Sequence, residues 1–147
     1  MKNVVLATDG SEAARAAERF AAENLDPGSV VLHVLSVHEE IPGEWLHPSS
    51  FSVDLAEYEE TIQQELSDQV DTTVQTLEER GFTVERETRI DRPGPEICNY
   101  AEEVNAAQII MGRRGMSGVR EMLLGSVSQY VIHHAPCPVT IVPLSDE

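Results

Sequence analysis

Short runs of apolar and β-branched residues recur along the chain at Asn3 to Thr8, Ser29 to Val37, Ala106 to Met111 and Pro138 to Pro143. Between them, apolar positions fall at helical spacing. This alternation predicts repeated βα units around a mostly parallel sheet. Ser11 is placed to cap a helix reaching about Asn24, whose alanines (Ala13, Ala14, Ala16, Ala17 and Ala21) allow close approach to a sheet. Asp26-Pro27-Gly28 turns the chain into the second strand, and the near-continuous apolar character of that strand predicts burial on both faces.

From Ile41 to Val53 the pattern breaks into Pro, Gly, Ser and isolated aromatics, Trp45 and Phe51 among them, and predicts a loop of the kind that covers a site. Leu55, Tyr58, Ile62, Leu66, Val70, Val74 and Leu77 then recur every three or four residues, predicting an amphipathic helix from about Asp54 to Arg80 that Gly81 ends. Phe82 to Ile90 alternates imperfectly, as a half-exposed edge strand does. Gly94-Pro95-Glu96 opens a helix with Pro95 at its first position. After the fourth strand comes a glycine-punctuated stretch and a helix from about Ser126 to His134. No internal repeat or low-complexity tract interrupts the series.

Length fits this picture: 147 residues, 41% of them hydrophobic, suffice for one domain with one sizeable core. The longest apolar runs fall far short of the ~20 residues that a membrane helix needs. The start, MKNVVLATDG, carries no long apolar stretch followed by a small-residue cleavage site, so the cytoplasm is the expected location. Cys98 and Cys137 form no CxxC pair and read as reduced, partly buried thiols.

Charge changes the picture more. Against 26 acidic residues stand 10 basic ones, for a net charge of -16, which disfavours nucleic acid and acidic membranes as partners. The only lysine is Lys2, so neither a Walker A loop nor an interior Schiff-base lysine is available. A strongly acidic, lysine-poor surface suggests the salt-rich cytoplasm of a halophile, because salt screens carboxylate repulsion. An ordinary acidic protein from a GC-rich genome is the plainer alternative.

One segment runs against the overall charge. Between Val104 and Ser145 a single acid, Glu121, faces Arg113, Arg114 and Arg120. Gly112 ends the fourth strand, Gly115 follows, and Gly125-Ser126-Val127-Ser128 opens the next helix. Glycines admit close backbone approach, and a helix start supplies free N–H groups and a favourable dipole, so this is where an anionic ligand is expected. A turn with structural glycines is the generic competing reading.

The spacing Gly112-x2-Gly115-x9-Gly125-Ser126 resembles the ATP-binding signature of the universal stress protein family, with the flanking IIMG and PCPVTIV strands. VVLATDGSEAA and LHVLSV look like that family's first strand with its aspartate loop and its second strand. The resemblance covers the whole chain and is weakest between residues 41 and 56 and along the long helix. It implies a Rossmann-like α/β domain over residues 1–147: an open parallel five-stranded sheet in the order 3-2-1-4-5 with helices on both faces. Strands one and four are then neighbours whose connections diverge, leaving a crevice at their carboxyl ends. The resemblance further implies ATP, with Mg2+, held by the backbone near Ala7, Thr8 and Val34 together with Asp9 at the adenosine. Met111, Gly112, Arg113 and Gly115 lie along the ribose and phosphates, and Gly125, Ser126, Val127 and Ser128 cradle the phosphates. It also implies a homodimer formed through the C-terminal strand.

Plainer roles stand beside these. Asp9 also fits a cap on the first helix, Thr8 and Ser11 are capping residue types, and the arginines also serve to offset acidic surface. His33 reads as a hydrogen-bonded core residue, and His133 and His134 sit where a helix C-terminus favours a cation. With His38 and His47, His33 forms no zinc spacing. The leading functional expectation is an ATP-binding stress-response module whose nucleotide tunes its conformation or its associations. A slow ATPase or phosphoryl-transfer enzyme is the alternative, for which Asp9 is the one obvious base. Related adenylylating folds carry SGGxDS after the first strand, where this chain has ATDGSEAA, and that departure argues against them.

The charge distribution generates a first prediction. Nine acidic residues lie between Asp54 and Glu79 with no basic residue among them. Each like-charge pair at helical spacing costs ~0.2–0.5 kcal/mol, and near molar salt the screening length falls to ~3 Å. The thermal midpoint is expected to climb as KCl rises from about 0.1 to about 3 M; a flat or falling curve removes the halophilic reading.

Overall fold

The computed structural model describes residues 1–39, 50–113 and 125–144, with the side chains of residues 50–56 left aside. In chain order the elements are β1 (Lys2–Thr8), α1 (Glu12–Asn24), β2 (Val30–His38), α2 (Ser50–Glu79) and β3 (Thr83–Ile90). Then follow α3 (Pro93–Glu103), β4 (Gln108–Gly112), α4 (Ser126–His134) and β5 (Val139–Val142). The five strands form one parallel sheet in the order β3-β2-β1-β4-β5, as the resemblance implied.

Alternation along the strands divides the core in two. Val4, Leu6, Leu32, Val34 and Ile110 face α1 and α2, while Val5, Ala7, Leu35, Val37, Ile109 and Met111 face α3 and α4. β1 and β2 are buried on both faces, which is why they read as continuous apolar runs. β3 at one edge shows the half-exposed pattern expected of it.

α1 starts where Ser11 accepts a hydrogen bond from the Ala14 N–H at 3.1 Å, and all five of its named alanines are buried. Their small size lets the first turn settle onto the end of β4. A Cβ at Gly112 would lie 2.5 Å from the Ala13 carbonyl oxygen and 2.8 Å from the Ala13 Cβ. Gly112 is therefore required by helix packing, whatever else it does.

α2 is longer than its sequence pattern predicts, beginning at Ser50 rather than near Asp54. No proline or glycine lies between Ser49 and Arg80, so nothing in the chain stops the helix earlier. Gly81, at φ +95°, ends it in the left-handed region. Only its second half packs as the periodicity requires: Val70 and Leu77 are buried, whereas Tyr58 is 62% and Ile62 36% exposed. The predicted loop lies largely outside the described residues. α3 corrects a second expectation: Pro93, not Pro95, takes the first helical position. Pro93 also holds Arg92 in the extended conformation that a helix entry needs, and Pro95 falls within the first turn, where its missing N–H costs nothing. β4 starts at Gln108 rather than Ala106, because Asn105 turns left-handed (φ 53°) and the Ala106 N–H still donates to Ala101 of α3.

Two polar clusters tie α3 to the sheet. His33 is buried, with Nε2 donating to Asn3 Oδ1 at 3.0 Å and Nδ1 accepting from the Tyr100 hydroxyl at 2.9 Å. The Asn3 amide in turn donates to Val104 O, which fixes its orientation and makes the neutral imidazole the fully satisfied form. Burial accordingly pushes the His33 pKa down, against the opposing charge of Glu85. On the edge, Arg89 donates to Glu87, Glu96 and Glu103 and lies 5.0 Å from the Tyr100 ring centre. Cys98 and Cys137 are free thiols, the first buried and the second half-buried, as expected.

Gly112→Ala is expected to destabilise the chain by about 1–3 kcal/mol, the usual range for overpacking a close contact. Urea unfolding should show a lower midpoint at unchanged slope; an unmoved midpoint would mean that α1 does not rest on β4 in this way.

Candidate functional site

The register places the ends of the inner strands level. Leu6 pairs with Val34 on one side and Ile110 on the other, so two residues on, Thr8 stands beside Ser36 and opposite Gly112. Here the chain leaves β1 for α1 on one face and leaves β4 toward α4 on the other. Such a divergence opens a crevice outside the strand ends.

On the β1 side the turn is built by short hydrogen-bonded loops. The Gly10 N–H donates to Thr8 Oγ1 at 3.2 Å, and the Ser11 N–H donates to Asp9 Oδ1 at 2.9 Å. Gly10 takes φ +79°, a conformation that side chains other than glycine rarely adopt. Because Ser11 caps α1, Asp9 is not the helix cap. Its carboxylate braces the turn through Oδ1 and leaves Oδ2 without a hydrogen bond among the described residues.

On the β4 side the Arg113 N–H donates to Val142 O at 3.0 Å, and the Gly125 N–H donates to Arg113 O at 2.9 Å. The Ser128 hydroxyl, 2% exposed, lies 3.1 Å from both the Gly112 and Arg113 carbonyl oxygens. Three links thus pin the first turn of α4 to the strand end, across residues 114–124, which lie outside the described set. Gly125 is the N-cap at φ -74° and ψ 164°, a conformation open to any residue. What glycine supplies here is the absence of a side chain. Nothing on the cap accepts from the first N–H groups of α4, and no acidic side chain stands in its first turn, so among the described residues nothing offsets its positive end. Arg113 Nε is buried without a hydrogen-bond partner among the described residues.

A cavity of about 440 Å³ lies at this end of the sheet. Asp9, Gly10 and Ser11 form one wall, Val37 and His38 continue β2, and Ile62, Glu65 and Gln69 reach over from α2. Of the residues singled out by sequence, only Asp9 lines this cavity, and none from β4 or α4 does. Thr8, Asp9, Met111, Gly112, Arg113, Gly125, Ser126, Val127 and Ser128 gather at the carboxyl ends of β1 and β4, with Ala7 one residue inside. Ala7, Thr8 and Met111 are at most 3% exposed, so at this end they offer backbone rather than side chain. Val34 stands apart, fully buried four residues before the end of β2 and laddered to both neighbouring strands. Gly115 lies outside the described residues.

Sequence reading missed the contribution of α2. The amphipathic pattern alone gives its polar residues no role at the site, yet Glu65 and Gln69 wall the cavity and Gln69 packs directly on Gly10. His38 meets Glu59 at 3.1 Å, drawing the first half of α2 toward the end of β2. No signal in the sequence marked this, since Ile62 continues the even apolar series of α2 and its 36% exposure is a property of the packing.

The strand order and the divergence at the strand ends together define an open, doubly wound α/β domain. The universal stress protein family model matches residues 1–143, and the chain belongs to that family. Universal stress protein Sll1388 of Synechocystis is 37% identical over 108 residues, covering 74% of this chain and 69% of the relative. The solved structure of MJ0577, a universal stress protein of Methanocaldococcus jannaschii, superposes with a TM-score of 0.77 at 26% identity, covering 99% of this chain and 98% of that one. An Arabidopsis thaliana family member solved with AMP bound superposes with a TM-score of 0.72 at 19% identity, over 99% of this chain and 94% of that one.

Proposed function

We propose that this chain binds an adenine nucleotide, ATP with Mg2+, at the carboxyl ends of β1 and β4, and acts as a nucleotide-dependent regulatory or interaction module. The observation that carries the reading is the start of α4, uncapped among the described residues and hydrogen-bonded through the Gly125 N–H to the backbone of Arg113, whose buried Nε has no partner among them, in a chain of net charge -16. An anion there gains backbone N–H donors, the helix field and a guanidinium at once. The same fold holds AMP in the Arabidopsis protein, which supports the choice of nucleotide class.

Asp9, with Gly10 and Ser11, belongs to the adenosine side of this site, and Arg113 with Gly125 to Ser128 belongs to the phosphate side. Mg2+ travels with the phosphates and offsets their charge. Binding across both loops favours arrangements in which they are held together, which is how occupancy is passed to the surface. The bracing of Asp9 Oδ1 by the Ser11 N–H suits a positioning carboxylate more than a base, and favours binding over turnover.

Gly125→Val tests the site, since its cap conformation suits valine while the added side chain obstructs the phosphates. Calorimetric titration with Mg-ATP is expected to show at least a tenfold loss of affinity, about 1.4 kcal/mol. Unchanged affinity in a folded variant overturns the assignment.

The second part of the proposal is a homodimer through β5. This strand is the sheet edge beyond β4, and Val139 and Ile141 are only half-buried in the single chain. Its unpaired backbone groups and apolar side chains suit pairing with another copy, over a length limited by Pro138 and Pro143. Light scattering at micromolar concentration in high salt is expected to give twice the chain mass; a monomer there contradicts it.

A further inference from the structure

A separate groove of about 350 Å³ runs between α1 and α2, on the side of the sheet away from α3 and α4. Ala22 and the buried Leu77 supply an apolar floor, and Arg15, Arg19 and Arg80 stand around the opening. In a chain with 26 acidic residues, arginines find carboxylates easily, and Arg86 and Arg89 do so on the far edge of the sheet. The groove arginines do not. Arg15 donates only to the Gly10 carbonyl at 3.2 Å, and neither Arg19 nor Arg80 makes a hydrogen bond or contact ion pair among the described residues.

The acids of the groove offset only part of its charge, two carboxylates standing against three guanidiniums. Glu23 is exposed, and Glu18 is turned to α2, where the Thr73 hydroxyl donates to its Oε1 at 2.5 Å. Burial raises the Glu18 pKa, with the Thr73 bond and the charges of Arg15 and Arg19 acting the other way. The groove therefore combines an apolar floor with three guanidinium groups, those of Arg19 and Arg80 without a partner among the described residues, a pairing that suits a molecule with an apolar body and an anionic head. We propose that the α1/α2 groove is a second ligand site, for an amphipathic organic anion bearing a carboxylate, phosphate or sulfonate. It is independent of the nucleotide reading and shares with the strand-end cavity only the wall formed by Gly10 and Gln69.

The probe is 8-anilinonaphthalene-1-sulfonate, an aromatic body with one sulfonate. Fluorescence titration of the full chain is expected to show one saturable site. The double variant Arg19→Gln/Arg80→Gln, which changes exposed side chains only, should weaken binding at least tenfold. Ala22→Phe, which fills the floor without touching a charge, should weaken it as well. Amide NMR shifts on addition of the probe should centre on Thr72, Thr73 and Thr76, beyond the shared wall. No saturable binding overturns the proposal. So does an affinity that neither variant moves, or a pattern of shifts centred on Gly112 and Ser126.

Discussion

The site depends on how closely α1 lies against the end of β4. No side chain fits between Ala13 and Gly112, and a single added carbon would meet the helix backbone at 2.5 Å. That contact sets the position of the turn that carries Asp9 relative to the strand end that carries Arg113, two segments a hundred residues apart in the chain. The parallel register alone brings the ends of β1 and β4 level. Close packing then converts levelness into a crevice, because α1 leaves on one face and α4 on the other.

Held in this way, the two strand ends are finished with different chemistry. The β1 turn is satisfied internally, with Thr8, Asp9 and Ser11 each accepting a hydrogen bond from a nearby backbone N–H. The β4 end holds together through Ser128 and the Gly125 N–H, yet the first turn of α4 has no side-chain cap. Uncapped helix starts are common at the surface, where water serves. This one follows a strand end whose Arg113 Nε is buried without a partner among the described residues, in a protein whose overall charge repels anions.

The sheet was legible in the sequence because strands buried on both faces must be apolar throughout, and Val4 to Ala7 and Leu32 to Val37 leave little else to infer. The α4 boundaries were legible for the same kind of reason: glycine before Ser126 and two histidines at the end mark both termini. The strand order came from the resemblance, since no local pattern specifies which strands are neighbours. What sequence could not give was the role of α2. Its periodicity runs evenly from Leu55 to Leu77, but the sheet beneath is shorter than the helix, so Tyr58 and Ile62 escape the core and Ile62, Glu65 and Gln69, around the middle of the helix, turn to the cavity. Likewise, Gly112 read as a place for phosphate to approach, and its nearest demand is the Ala13 backbone.

Occupancy by an adenine nucleotide is the central claim, and native mass spectrometry of the gently purified protein, before and after addition of Mg-ATP, tests it most directly. The account predicts a mass increment of ATP, ADP or AMP on each chain in at least the second spectrum. The bare chain mass in both spectra, from protein that is folded, would contradict it.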